Sequence, residues 1–98
     1  MTTRRKKPGY ETVEKIFLIG SKLGLHARPA AIFVQTANHF EASVEVQKDD
    51  QKIDGKSIMG IMTLAAEMGS TIIVRTTGKD AAASMEALAK LIESNFGE

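Results

Sequence analysis

The chain has no cysteine. That absence excludes a disulfide framework and thiol catalysis, and it suits a reducing cytosol. Long apolar runs are missing as well: nothing approaches the roughly 20 residues that a membrane-spanning helix requires. The N-terminus is basic, as in a secretion signal, but no apolar stretch follows it directly. No signal peptide is therefore expected, and the expected location is the cytoplasm. An excess of one charge is also lacking. Thirteen Lys and Arg against twelve Asp and Glu give a net charge of +1, which implies no general affinity for nucleic acid or for a membrane. There is no Gly-rich phosphate loop, no cluster of metal ligands and no acid–base pair at a fixed spacing. A self-contained enzyme is the weakest reading, and neither a cofactor nor a metal is expected.

What is present describes one domain. Ninety-eight residues, 43% of them apolar and 26% charged, suffice for a single independently folding core of modest size. Residues 1–11 carry Arg4, Arg5, Lys6 and Lys7 in succession and then Pro8-Gly9. Such a run is expected to be a disordered leader, leaving 12–98 as the folded domain. Thr12 to Ile19 is rich in β-branched and aromatic residues and reads as a strand, with Phe17 and Ile19 inward. From Ala27 to about Asn38 a helix places Ala30, Phe33 and Ala37 on its core stripe, and Ile32 and Val34 fall off it.

Glu41 to Gln47 alternates, with Ala42, Val44 and Val46 on the buried face; a polar turn over 48–51 and a short strand at Lys52–Asp54 complete a hairpin. Ser57 is a good N-cap for a short helix to about Ala66, with Gly69 ending it. Ile61, Leu64 and Ala65 can fill its inner side, which leaves Ile58, Met59 and Met62 partly exposed. Thr71 to Thr77 reads as a strand with Ile72 and Val74 inward, and Asp80 caps a last helix bearing Met85, Leu88, Leu91 and Ile92. The order β-α-β-β-α-β-α, with helices on one face of a sheet whose other face is polar, is an α+β open-faced sandwich.

The chemistry concentrates in Gly24-Leu25-His26-Ala27-Arg28-Pro29-Ala30. Gly24 lets the backbone turn, and Pro29 suits an opening helical turn because its missing N–H would be unpaired there anyway. His26 then falls at or beside the N-cap, with the N–H groups of Ala27 and Arg28 directed back toward its ring. Unpaired amides and the positive end of the helix dipole make an anion site. The Arg28 guanidinium adds a charge whose fork geometry fits phosphate oxygens. A nucleophilic imidazole in that setting is suited to take a phosphoryl group. His39 has no such surroundings and reads as a surface residue.

These residues resemble the active-site motif of the HPr family, the histidine-containing phosphocarriers of the phosphoenolpyruvate-dependent phosphotransferase system. Gly55-Lys56-Ser57-Ile58-Met59-Gly60 resembles the regulatory serine motif of the same family, and the similarity runs from about Val13 to the C-terminus. The resemblance implies a four-stranded antiparallel sheet in the order 1-4-2-3 with three helices on one face. It also implies a monomeric carrier that takes a phosphoryl group from Enzyme I on His26, with Arg28 and the Ala27 and Arg28 amides holding phosphate. The group would pass to a IIA protein or domain, and HPr kinase/phosphorylase would modify Ser57. Ile58, Met59, Met62 and Val34 are the expected docking residues, since methionines adapt to differently shaped partners. A second reading keeps the fold and makes the chain a regulatory ligand, of a nitrogen-related or transcriptional branch, whose partner binding depends on phosphorylation. In the family, regulatory paralogues that have lost carrier activity lack the active-site histidine, and this chain retains it.

Overall fold

The computed structural model describes residues 2–7, by their backbone, and residues 10–97 in full. The first core strand, β2 (Tyr10–Leu18), is preceded by β1 (Thr2–Lys7). The remaining elements are α1 (Ala27–Ala37), β3 (Ser43–Lys48), β4 (Gln51–Asp54), α2 (Ile58–Thr63), β5 (Thr71–Gly78) and α3 (Ala81–Glu93). The five strands form one sheet in the order β1-β2-β5-β3-β4, and every pairing is antiparallel. The four strands from Tyr10 onward thus stand in the expected 1-4-2-3 order, and the helices leave one face of the sheet open.

The core follows the two-residue period of the strands. Val13, Phe17 and Ile19 of the β2 segment, Val44 and Val46 of β3, and Ile72 and Val74 of β5 are all buried on the inner face. Ala30, Phe33 and Ala37 of α1 and Met85, Leu88 and Ile92 of α3 close over them. On the open face, Arg75 of β5 bonds Glu14 of β2 through Nε, and through Nη1 it reaches Glu45 at 2.7 Å and Gln47 at 2.8 Å on β3. One guanidinium fork therefore ties three adjacent strands together.

Several expectations require correction. The leader was expected to be disordered, but residues 2–7 form a strand in register with β2, from Thr2 opposite Lys15 to Lys7 opposite Tyr10. The charge run sits on side chains, whereas pairing is made by the main chain, and without β1 the outer edge of β2 would present a row of unpaired groups. Met1, Pro8 and Gly9 of that leader lie outside the described residues. Val34 is buried, at 7% exposure, because positions 30, 33, 34 and 37 together form the apolar stripe of a packed helix. It is therefore not a docking residue, and its neighbour Ile32 is half-buried. Helix α2 ends at Thr63 rather than near Ala66: Ala65 takes φ +50°, outside helical space, and is exposed. Gly69 lies six residues past that end, in the loop before β5. Asp80 holds the N-cap position of α3 but makes no capping bond. Its carboxylate instead accepts the N–H groups of Glu41 at 2.9 Å and Ala42 at 2.8 Å, fastening the start of α3 to the entry of β3.

Candidate phosphoryl-acceptor site

Residues 19–26 carry the chain from β2 to α1, and they are sewn to the segment before β5. The Ile19 N–H donates to the Ser70 carbonyl and the Gly69 N–H to the Ile19 carbonyl, both at 2.8 Å. The Leu25 N–H donates to the Ala66 carbonyl at 2.9 Å, and the Leu25 side chain is buried. Ser21 and Gly24 close a turn: the Gly24 N–H donates to the Ser21 carbonyl, and the Ser21 hydroxyl to the Gly24 carbonyl, each at 3.0 Å. Gly24 is required here twice over. Its φ is +68°, and a β-carbon would stand 2.2 Å from the Ala66 carbonyl oxygen. His26 is thereby delivered to the helix start from a loop with little freedom.

His26 is the N-cap of α1, with extended backbone (φ −82°, ψ −171°) and a carbonyl that accepts from Ala30 at 3.0 Å. Its side chain makes no capping bond. The residue is half-buried, and Nε2 is shut off from solvent. Ala27 and Arg28 occupy the first two helical positions, and among the described residues no acceptor takes their N–H groups. Pro29, third in the helix, has no N–H to offer and is buried. Two unpaired amides therefore remain, both adjoining His26. Arg28 is exposed and makes no ion pair among the described residues, so its guanidinium is available to a phosphate. The sequence-predicted trio of His26, Ala27 and Arg28 is brought together at one helix start.

Ser57 stands at another. Gly55 donates to the Val44 carbonyl at 2.7 Å, and a β-carbon at that residue would lie 2.4 Å from Val44 Cγ1. The Asp54 carboxylate accepts from the Lys56 N–H at 2.9 Å and the Asp54 carbonyl from the Ser57 N–H at 3.1 Å, which sets the approach to the helix. The Ser57 hydroxyl then accepts from the Gly60 N–H at 3.0 Å, the expected cap. Beyond it Met59 is 70% exposed, and Ile58 and Met62 about two-fifths exposed, as expected.

Two further apolar side chains escaped the sequence reading. Leu23, 75% exposed, sits in the His26 loop, and Met68, 59% exposed, sits in the segment to which that loop is bonded. Neither lies on a periodic element, so no pattern marks it. Only the pairing of 19–25 with 66–70 puts both beside the histidine loop.

Comparison with known proteins gives a decisive match. The family model described as "PTS HPr component phosphorylation site" matches residues 13–94. The chain belongs to the HPr family. It is 51% identical over 81 residues to the HPr-like protein Crh of Halalkalibacterium halodurans, covering 83% of this chain and 96% of that protein. It is also 51% identical over 78 residues to the phosphocarrier protein HPr of Neisseria meningitidis, covering 80% and 88%. Among solved structures, HPr from Thermoanaerobacter tengcongensis superposes with a TM-score of 0.84 at 48% identity, covering 87% of this chain and 96% of that one. HPr proteins are phosphocarriers of the phosphotransferase system, stoichiometric participants rather than turnover enzymes. The matched region of this HPr-family chain begins inside β2, so β1 lies outside it.

Proposed function

We propose that the chain accepts a phosphoryl group on His26 from phospho-Enzyme I and passes it to a IIA protein or domain. The observation that carries this reading is the start of α1, where the N-cap residue is a histidine that does not cap. Two amides and a guanidinium that have no partner among the described residues stand beside it in the chain, a combination suited to an incoming anion. With Nε2 closed to solvent, attack falls to Nδ1. The Nδ1 lone pair forms a P–N bond as the bond from phosphorus to the donor breaks, and that electron pair leaves with the donor. The ring keeps its other proton and carries positive charge until the acceptor reverses the step. A nitrogen-linked phosphoryl group remains easy to transfer, which a carrier needs.

Ile58, Met59 and Met62, joined by Leu23 and Met68, are the surface we assign to docking of both partners. Ser57 is the regulatory site for HPr kinase/phosphorylase. A phosphate there adds about −1.5 to −2 charges beside that surface, and they must be desolvated or repelled when a partner covers it. The cytoplasm is the location this chemistry requires.

With Enzyme I and phosphoenolpyruvate the chain should gain one phosphoryl group, stable to base and labile to acid. His26→Ala should abolish the gain, and His39→Ala should keep it. Loss in the His39 variant instead would overturn the assignment. Adding a IIA acceptor separates the carrier from the regulatory ligand: the carrier discharges and turns over, whereas the ligand stays charged.

A further inference from the structure

A net charge of +1 conceals a division within the chain. All of the twelve acidic residues lie at or beyond Glu11, together with nine of the thirteen basic ones, so residues 10–98 carry 9 − 12 = −3. The remaining four basic residues are Arg4, Arg5, Lys6 and Lys7, consecutive on β1. The strand lies at the edge of the sheet, with no further strand beyond it among the described residues. Its register sets Arg4, Arg5, Lys6 and Lys7 opposite Val13, Thr12, Glu11 and Tyr10. That end of β2 is the one remote from Leu18, from which the chain departs toward His26. Eight residues of strand, roughly 26 Å, separate the two ends. An anionic body contacting the basic end would leave the phosphoryl site uncovered.

From this arrangement we propose that the basic edge strand docks the protein on an anionic lipid bilayer. The inference stands independently of the carrier reading. Four consecutive cations match in number the polybasic segments that hold proteins to acidic membranes. They fall short of the roughly six to ten phosphate contacts typical of a duplex-binding surface, and an acidic body opposes tracking along a polyanion. The strand beside β1 also exposes Tyr10, at 42%, opposite Lys7 at that same end of the sheet. An amphipathic aromatic suits the headgroup boundary of a bilayer.

The test is co-sedimentation of the full chain with large unilamellar vesicles at 0.1 M NaCl. Vesicles of phosphatidylcholine with 30 mol% phosphatidylglycerol should bind it, and pure phosphatidylcholine should not. Raising NaCl to 0.5 M should release it, because exposed charges are screened within a few ångströms at that strength. Replacing Arg4, Arg5, Lys6 and Lys7 together by Gln should weaken binding by roughly fivefold for each charge removed. The double variant Arg4→Lys, Arg5→Lys keeps the charge and should bind as wild type, which guards against loss through a disturbed strand. Tyr10→Ser should weaken lipid binding several-fold. Equal binding to both vesicle types would overturn the proposal, as would undiminished binding by the Gln variant or by the Tyr10→Ser variant. So would tighter binding to a duplex DNA or to an RNA oligonucleotide at the same salt.

Discussion

Two helices of this protein begin with the same backbone and opposite side-chain behaviour. At α2 the N-cap Ser57 is extended (φ −117°, ψ 117°), and its hydroxyl takes the Gly60 amide. At α1 the N-cap His26 is also extended, and its ring takes no helical amide. A good cap is worth about 1 kcal/mol over a residue that does not cap, so α1 forgoes a stabilisation that α2 has. Pro29 deepens the contrast. By occupying the third helical position it removes one amide, and the two that remain adjoin the histidine. Local rules of folding are commonly broken where a site must be left open to a ligand. The closed start gains a capping bond, and the open one leaves its amides to the anion of the proposed reading.

The strongest way to break this comparison is to close the open start. His26→Ser gives α1 a hydroxyl at its N-cap, and because Pro29 lacks the N–H that Gly60 supplies in α2, that hydroxyl would accept from the Arg28 amide. Phosphoryl gain from Enzyme I should vanish entirely, read by mass spectrometry, while thermal stability holds or rises by up to about 1 kcal/mol. A clear loss of stability would mean that the imidazole holds the fold at this position, and the trade between cap and nucleophile would fall away.

The reverse experiment places charge at the closed start. Ser57→Asp keeps a capping oxygen and a charge favourable to the helix dipole, so its melting temperature should stay near wild type. Its phosphorylation by Enzyme I should fall tenfold or more, because the new charge borders Ile58, Met59 and Met62. Ser57→Ala should accept phosphate normally and lose about 1 kcal/mol of stability with the cap. Equal rates for the Asp and Ala variants would reduce Ser57 to a cap.

Arg28 tests what the open start needs besides its amides. A charge-assisted contact is worth roughly 1.5–3 kcal/mol, so Arg28→Lys, which keeps the charge but loses the fork, should slow transfer about tenfold. Wild-type rates would leave Arg28 as a surface cation.

Most of the fold was legible because the relevant signals are local. Alternation along 41–47 and 71–77, and the spacing of Ala30, Phe33 and Ala37, each report a buried face directly. The geometry of the candidate site was legible for the same reason: Gly24, His26, Arg28 and Pro29 fall within six residues. What escaped depends on contacts distant in sequence. β1 exists because β2 has an open edge, and nothing in a run of four cations announces a partner strand. Leu23 and Met68 belong to neighbouring segments only through the pairing of their loops. Val34 differs for another reason: the apolar stripe of a packed helix is wide enough to take position 34 beside 30, 33 and 37.

The third helix start supplies the smallest effect. Asp80 has the right residue type to cap α3, but its backbone (φ −105°, ψ 25°) is not the extended form that capping uses. Gly78, at φ +148°, lets the chain pass so close to Ala42 that a β-carbon would stand 2.9 Å from the Ala42 Cα. Across that approach the Asp80 carboxylate takes the Glu41 and Ala42 amides. Its pKa is held below the ordinary 3.8, chiefly by the Glu41 N–H, with the Ala42 N–H, its own N–H and the charge of Lys56 adding to it against the opposing effect of burial. A carboxyl depressed in the folded state contributes its full stabilisation above the unfolded value near 3.8 and loses it as pH falls through the lower folded value. Asp80→Asn removes the charge at every pH. The gap in urea midpoint between wild type and Asp80→Asn should therefore be constant from pH 7 to 5 and shrink from pH 4 to 2. Because other carboxyls titrate equally in both proteins, the difference isolates this one. A gap that stays level down to pH 2 would show that the tie between α3 and β3 does not depend on ionised Asp80.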